Sequence, residues 1–499
     1  MSSLSYLLPQ LGAGFASALV PTNLLLGAVG VTVGTAIGVL PGLGPALTIS
    51  LLLPITFGMD PVGAFILFGG IYYGAMYGGS TTSILVRMPG EASSVMTAVD
   101  GYVMTRRGRA GAALATAAIG SFVAGTFATV MLMLLAPPLV ELSLGFGPAD
   151  YAALMVLALT SVAGLSGANP ARGLLAIFVG LALGTVGIDV QTGQARFSMG
   201  MPGLLGGLNV VLVTVGLFAV GEVFWHAATR LDAPTGVTRL DGPARLTPSE
   251  WRRSMPAWGR GTLIGFFTGV LPGAGATVAS FLSYDVERRV SKTPEEFGEG
   301  AIEGVAGPEA ANNASAGGSL VPLLALGVPG SGTTAVMLAA FQMYGLQPGP
   351  LLFSQESELV WGLIASLYVS NALLLLLNLP LIRLWVRLLE VPPALLYAAV
   401  LALATVGVYT LNSSLFDVGV VYALGLVAVV LRHQEIPLAP VVLGAVLGPL
   451  LEQYTRRALA IADGDPTVFL TRPLSAALLG LALALVVLPP LVRAIRTRI

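Results

Sequence analysis

Cysteine is absent from the 499-residue chain, which excludes a disulfide framework, thiol chemistry and any cysteine-based metal site. Histidine is nearly absent: His226 and His433 stand far apart and unaccompanied, so no metal role is expected of either. Among 24 basic residues Lys292 is the single lysine. A phosphate-cradling loop needs a glycine-rich turn followed by Lys and Ser or Thr, and Val290-Ser291-Lys292-Thr293-Pro294 has no such turn, which excludes a Walker-type ATPase. Any pumping must then draw on an ion gradient or on a partner's ATPase. With no cysteine, isolated histidines and no paired acid at a motif, an intramembrane enzyme is not expected. The N-terminus has no positively charged n-region, so no cleavable signal peptide is expected either.

Charge is the other shortage. Only 10% of residues are charged while 55% are hydrophobic, at a mean hydropathy of +0.86, too little polar surface to cover a soluble globule. Apolar stretches at 111–140, 149–165, 206–221, 358–382, 393–411, 416–431 and 473–492 approach the roughly 20 residues of a spanning helix. They do not alternate in polarity as barrel strands would. The expected fold is an all-α polytopic membrane protein.

What the chain does have, it has twice. Gly38-Val39-Leu40-Pro41-Gly42-Leu43-Gly44 returns as Gly269-Val270-Leu271-Pro272-Gly273-Ala274-Gly275, 269 − 38 = 231 positions later. Gly78-Gly79-Ser80, leading to Pro89-Gly90 and Ser93, returns as Gly317-Gly318-Ser319, leading to Pro329-Gly330 and Ser331. Helix breaks at matching places in two repeats point to a transporter with its substrate site near the bilayer midplane. The polar, arginine-containing stretch 229–260 reads as a cytoplasmic linker. It separates a first transmembrane repeat, 1–228, from a second, 261–470, and 473–495 remains as an additional C-terminal transmembrane helix.

Loop charges indicate how the repeats are related. After the first Pro-Gly site the first repeat has a short loop at Phe57 to Pro61, whereas the second has Arg288, Arg289 and Lys292; after the second site the bias reverses, with Arg106, Arg107 and Arg109 in the first repeat and no base in the second. Matching loops therefore face opposite sides, the charge signature of inverted-topology repeats. The Pro-Gly-x-Gly segments read as tips of re-entrant hairpins entering from opposite faces. The second Pro-Gly element lies in a broken crossing helix or a second hairpin.

Proline removes a backbone donor and glycine permits positive φ, so a helix opens at such sites. Backbone exposed in hydrocarbon survives only where protein, water or a ligand satisfies it. Half-helix N-termini then offer N–H groups to an anion, and exposed carbonyls can coordinate Na⁺. The expected substrate-binding residues are Gly42, Leu43, Gly44, Ser80, Thr81, Thr82, Arg87, Pro89 and Gly90 in the first repeat. In the second they are Gly273, Ala274, Gly275, Asn312, Asn313, Pro329, Gly330, Ser331, Thr333 and Thr334. Arg87 faces an anionic substrate or is a snorkelling or acid-paired structural residue. Glu91, Glu303 and Glu309 are candidates for a cation or proton; Glu303 and Glu309 read rather as solvated loop acids, and Asp100 as interfacial. Na⁺ is expected, if anywhere, near Gly42, Gly273 and Glu309.

At these motifs the chain resembles the large membrane subunit of tripartite tricarboxylate transporters, the TctA family. The resemblance is carried by Gly38 to Gly44, Tyr77-Gly78-Gly79-Ser80-Thr81-Thr82-Ser83-Ile84-Leu85, Pro89-Gly90-Glu91-Ala92, Gly307-Pro308-Glu309-Ala310-Ala311-Asn312-Asn313-Ala314, Gly327-Val328-Pro329-Gly330-Ser331 and Gly345-Leu346-Gln347-Pro348-Gly349-Pro350. A departure is Arg87, where the family pattern more often has a small polar residue such as Asn. The resemblance implies a multi-pass protein of the bacterial inner membrane. It also implies a secondary transporter working with a small membrane subunit and a periplasmic solute-binding protein, importing citrate-like tri- or dicarboxylates with Na⁺ or H⁺ as coupling ion. No cofactor and no nucleic acid are expected. The mechanism expected of such repeats is an elevator-type carrier; an anion channel lined by the re-entrant hairpins is the alternative.

Overall fold

A computed structural model describes residues 4–40, 43–165, 170–189, 191–229, 244–378, 380–388 and 391–496. Pro41 and Gly42, at the expected tip of the first hairpin, lie outside the described residues. The chain is helical, with one two-residue β pair (β1, Gly187–Ile188; β2, Ala195–Arg196) among the described residues. The first half contains α1 (Leu4–Ala18), α2 (Pro21–Val39), α3 (Pro45–Thr56), α4 (Pro61–Val86), α5 (Val95–Arg106), α6 (Ala110–Ser143), α7 (Pro148–Leu165) and α8 (Pro170–Gly184). A long helix follows as α9 (Val210–Thr214) and α10 (Gly221–Thr229), joined by a π-helical turn at Val215–Val220. The second half contains α11 (Pro248–Val270), α12 (Gly275–Val290), α13 (Glu303–Leu326), α14 (Gly332–Met343), α15 (Pro350–Gln355) and α16 (Ser357–Asn378). It continues with α17 (Ile382–Leu388), α18 (Pro393–Asn412), α19 (Leu415–His433), α20 (Leu438–Ile461), α21 (Val468–Thr471) and α22 (Pro473–Arg496).

Among the described residues eight helices are long and apolar enough to cross a membrane. On the outer helices α18 and α19, Leu395 is 65% exposed and Leu426 60%. An apolar surface of that kind is stable against lipid rather than water. The chain is a multi-pass membrane protein.

Buried α4 and α13 form the centre, and glycines decide what packs on them. A methyl group at Gly38 would stand 2.4 Å from the carbonyl oxygen of Ala75, and one at Gly269 2.4 Å from that of Ser315. Gly34 and Gly30 meet Ile71 and Leu67 in the same way, as Gly265 and Gly261 meet Ala311 and Gly307. One register of close approach thus recurs: α2 runs along α4 as α11 runs along α13.

Both helix pairs are hairpins that return to the end they came from. α2 starts beside the start of α4, where Asn23 adjoins Gly63, and α3 ends at Thr56, a short loop before α4 begins. In the second half Arg253 of α11 pairs with Glu303 at the start of α13 at 2.6 Å, and the α12 exit leads back to the same place. The two hairpins enter from opposite ends. At the arginine-rich end Arg107, after α5, pairs with Glu299, after α12, at 2.9 Å. At the other end the Tyr344 hydroxyl, after α14, donates to the Thr56 carbonyl at 2.6 Å. Each half's hairpin exit therefore meets the other half's broken segment, the antiparallel placement that the loop charges imply.

The second Pro-Gly element is neither a simple broken crossing helix nor a second long hairpin. α4 runs on to Val86, Arg87 caps it in the left-handed conformation (φ 58°), and the chain doubles back until Gly90 touches Gly79. α5 then runs beside the last turns of α4, with Thr105 Oγ1 donating to the Ile84 carbonyl at 2.7 Å. The second half repeats this with Gly327 (φ 70°) as the cap and Gly330 against Ser319.

Candidate binding site

The doubling-back segments bring backbone that is not helical into the centre of the protein, where it needs polar partners. Gly90 permits the approach in the first half, because a methyl there would fall 2.1 Å from the Gly38 carbonyl oxygen. In the second half the N–H of Gly273, at the hairpin tip, donates to the Gly330 carbonyl at 3.0 Å. Each hairpin is thus packed against its own half's break, through Gly38 in the first half and through the Gly273 tip in the second.

A cavity of about 520 Å³ lies where these pieces converge. The second half contributes Gly273, Ala274, Gly275 and Thr277 from the hairpin and Ser331, Gly332 and Thr333 from the break. From the first half come Ala46, Tyr72, Met76, Glu91 and Ser93, while Val162, Phe218, Pro440 and Leu443 close the apolar side. Two helices begin at its wall. α12 has no side-chain cap on its first turn, and α14 is capped by Ser331, which accepts from the Thr334 N–H at 3.2 Å. Both present N-terminal N–H groups and the positive end of a helix dipole, which favour an anion.

Glu91 gives the cavity its charge. Among the described residues no Arg, Lys or His lines it. The Ser93 hydroxyl contacts the Glu91 carboxylate at 3.4 Å, and Gly44 of the first hairpin sits behind it, where a methyl would lie 3.6 Å from Oε1. Across the cavity the Tyr72 hydroxyl lies 3.0 Å from Ser319 Oγ and 3.3 Å from Ser331 Oγ, tying the core helix of one half to the break of the other.

The residues expected from the sequence fall into three groups. Gly273, Ala274, Gly275, Ser331 and Thr333 line the cavity. Leu43, Gly44, Pro89, Gly90, Pro329, Gly330 and Thr334 belong to the segments that shape it: Leu43 is buried, Pro89-Gly90 leads into Glu91, Pro329-Gly330 leads into Ser331, and Thr334 completes the α14 cap. Gly42 lies outside the described residues, and the others lie away from the cavity lining. Thr81 is buried in α4, Thr82 Oγ1 donates to its own helix at Gly79, and Asn312 Nδ2 donates to the Met76 carbonyl at 3.3 Å. Asn313 Nδ2 donates to Ser121 Oγ at 2.7 Å, and Ser80 bonds Glu309.

Three expectations need correction. Arg87 does not face the cavity: it caps α4, is exposed, and sets its guanidinium 5.9 Å from the Tyr102 ring centre. Its counterpart Gly327 shows that the position serves the backbone turn. Glu309 is not a solvated loop acid but wholly buried in α13, whereas Glu303 is bound by Arg253. Asp100 is fully buried, accepting N–H bonds from Gly298, Gly300 and Ala301 at 2.9, 2.7 and 2.9 Å.

Sequence reasoning missed Tyr72, Thr277, Phe218 and the Pro437 to Pro440 turn. The turn had a legible signal, two prolines three residues apart within apolar sequence. Tyr72 had none, because a tyrosine in a buried helix looks like core packing.

A family model described as "Tripartite tricarboxylate transporter TctA family" matches residues 24–443. The chain is 48% identical over 495 residues to the "Uncharacterized 52.8 kDa protein in TAR-I ttuC' 3'region" of Agrobacterium vitis, covering 99% of this chain and 98% of that protein. It is 50% identical over 224 residues to the "Uncharacterized protein in TAR-II ttuC' 3'region" of the same organism, covering 45% of this chain and 93% of that protein. No solved structure matches the chain.

Proposed function

Because the chain belongs to the tripartite tricarboxylate transporter TctA family, we propose that it is the large membrane subunit of a bacterial inner-membrane secondary transporter that imports small di- or tricarboxylates with a coupling cation. The single observation that carries this reading is the composition of the cavity among the described residues: two helix N-termini, hydroxyls from both halves, one carboxylate and no basic side chain. The N-termini and hydroxyls suit a carboxylate substrate. Its negative charge, beside Glu91, then requires neutralisation by Na⁺ or H⁺, since like charges at close range disfavour joint ionisation. A volume of about 520 Å³ accommodates a six-carbon acid within the range of ordinary ligand pockets.

Family membership implies further subunits, here a small membrane subunit and a periplasmic solute-binding protein that delivers the acid. With opposed hairpins meeting at one cavity, the hairpins and breaks form the moving unit of an elevator against the lipid-facing helices. The arginine-rich end lies in the cytoplasm. The test is uptake of radiolabelled citrate and a panel of di- and tricarboxylates into proteoliposomes carrying the complete transporter. Saturable accumulation that collapses with the Na⁺ or proton gradient is expected, and unsaturable flux that merely follows the acid's own gradient would instead identify a channel.

A further inference from the structure

Glu309 is a fully buried acid outside the cavity lining. Both carboxylate oxygens are engaged, one by the Ser80 hydroxyl of α4 and the other by the Thr97 hydroxyl of α5. Asn313, one turn along α13, turns its amide to the Glu309 backbone carbonyl at 3.2 Å and to Ser121, leaving the carboxylate to the two hydroxyls.

No ion pair neutralises it among the described residues. Tyr77 is the titratable group facing it from α4. The bases on α11 are committed elsewhere, Arg253 to Glu296 and Glu303 and Arg260 to Glu287, and α12 turns Ser280 to the Pro308 carbonyl. From α5, besides Thr97, comes Asp100, held by backbone N–H groups and Tyr284. An ionised carboxylate in such surroundings costs far more than two hydroxyl contacts return.

The position is as telling as the burial. Ser80 lies on α4 before the first break and Thr97 on α5 after it, so Glu309 spans both limbs of the segment that carries Glu91 and Ser93 into the cavity. We propose that Glu309 is the proton-binding residue of transport, a site separate from the substrate cavity and linked to it through the Ser80 and Thr97 hydroxyls. The step is simple protonation of the carboxylate, the proton entering from one side of the membrane and leaving to the other. Ionised, Glu309 accepts from both hydroxyls; protonated, it becomes a donor, so one hydroxyl must reverse and the grip on the break changes. Direct contact between hydroxyl and carboxylate oxygens favours H⁺ over Na⁺, which would have to stand between them. This assignment rests on the carrier reading above.

The test compares wild type with Glu309→Gln, a near-isosteric change that keeps hydrogen bonds to both hydroxyls. Infrared difference spectra of the purified protein between alkaline and acid pH should contain a protonated-carboxyl band that Glu309→Gln removes; an unchanged band pattern overturns the assignment. In proteoliposomes carrying the complete transporter, Glu309→Gln should lose citrate accumulation driven by a pH gradient while still exchanging labelled citrate at a measurable rate. Retained pH-driven accumulation, or wild-type accumulation driven by Na⁺ alone, overturns it too. If wild type moves no citrate or other carboxylate, the carrier reading fails by itself, while the infrared band still decides whether Glu309 binds a proton.

Discussion

The N–H of Gly273 donates to the carbonyl of Gly330 at 3.0 Å, fastening the tip of the second hairpin to the second break. Gly273 holds φ at +81°, and a methyl there would lie 2.5 Å from the Val162 Cα. The left-handed conformation alone costs a non-glycine residue about 1–2 kcal/mol, and the clash with α7 backbone adds to it. Gly273→Val should abolish carboxylate uptake while membrane insertion, measured by yield of monodisperse protein, stays near wild type. Gly275, also at positive φ (+60°) but with open space around it, should tolerate alanine with only partial loss.

Glu91 is the acid of the cavity lining among the described residues; whenever it is ionised beside an anionic substrate the two repel, and glutamine removes that repulsion. At a separation of ~8 Å and an effective dielectric near 20, two charges repel by roughly 2 kcal/mol. Removing that repulsion in full would lower the carboxylate's dissociation constant by about thirtyfold, so Glu91→Gln should tighten binding by up to that factor and weaken its dependence on the coupling cation. Calorimetric titration of the purified protein at two pH values checks both. Weaker binding would mean that Glu91 holds the substrate through a cation instead.

The paired breaks and their opposed orientation were legible because each rests on residue types with few conformational alternatives. Pro-Gly opens a helix wherever it falls, and arginine-rich loops mark one side. The doubling back of the chain between α4 and α5 was not legible, since it depends on Gly90 reaching Gly38 and Gly79 across the fold. Nor was Glu309, which sits among alanines and asparagines that read as a polar loop. It is buried because α4 and α5 of the other half cover its face of α13, setting the Ser80 and Thr97 hydroxyls on its carboxylate, a contact that local sequence does not reveal. Arg87 misled for a related reason: a charge next to a break suggests a ligand contact, but the break required a left-handed cap there, and the long side chain reaches outward from it.

Arg87 is accordingly expected to be dispensable for substrate binding. Its guanidinium packs on Tyr102, a contact worth about 0.5–1 kcal/mol at an exposed site, whereas glycine would relieve a left-handed strain of similar size. Arg87→Gly should leave the KM for the transported carboxylate within about twofold of wild type and shift the melting temperature little. A KM rise of tenfold or more would place the guanidinium at the substrate during some stage of transport.

The loop after α8 is held by charge, and pH reveals how firmly. Arg456 grips the Asp189 carboxylate at 2.8 Å, and the Gln191 and Thr192 N–H groups donate to it at 2.8 and 3.1 Å; Arg196 joins through Glu452 at 2.7 Å. The Arg456 hydrogen bonds, followed by these backbone donors, hold the Asp189 carboxyl well below the usual carboxylate range. A depressed folded-state value means that the stabilisation is complete above the ordinary aspartate range, about 3.9, and is lost only as pH falls through the lower folded-state value. Exchange protection of amides 191–201, corrected for intrinsic rates, should then be flat from pH 8 to about 4. Asp189→Asn should lower that protection throughout this range, because the amide offers Arg456 neither charge nor a second acceptor. The loop carries Phe197 and Met199, both at positive φ and 65% and 83% exposed, so loosening the clasp releases two strained residues together. Loss of protection in the wild type already between pH 6 and 5 would show that the loop is fastened by some other group.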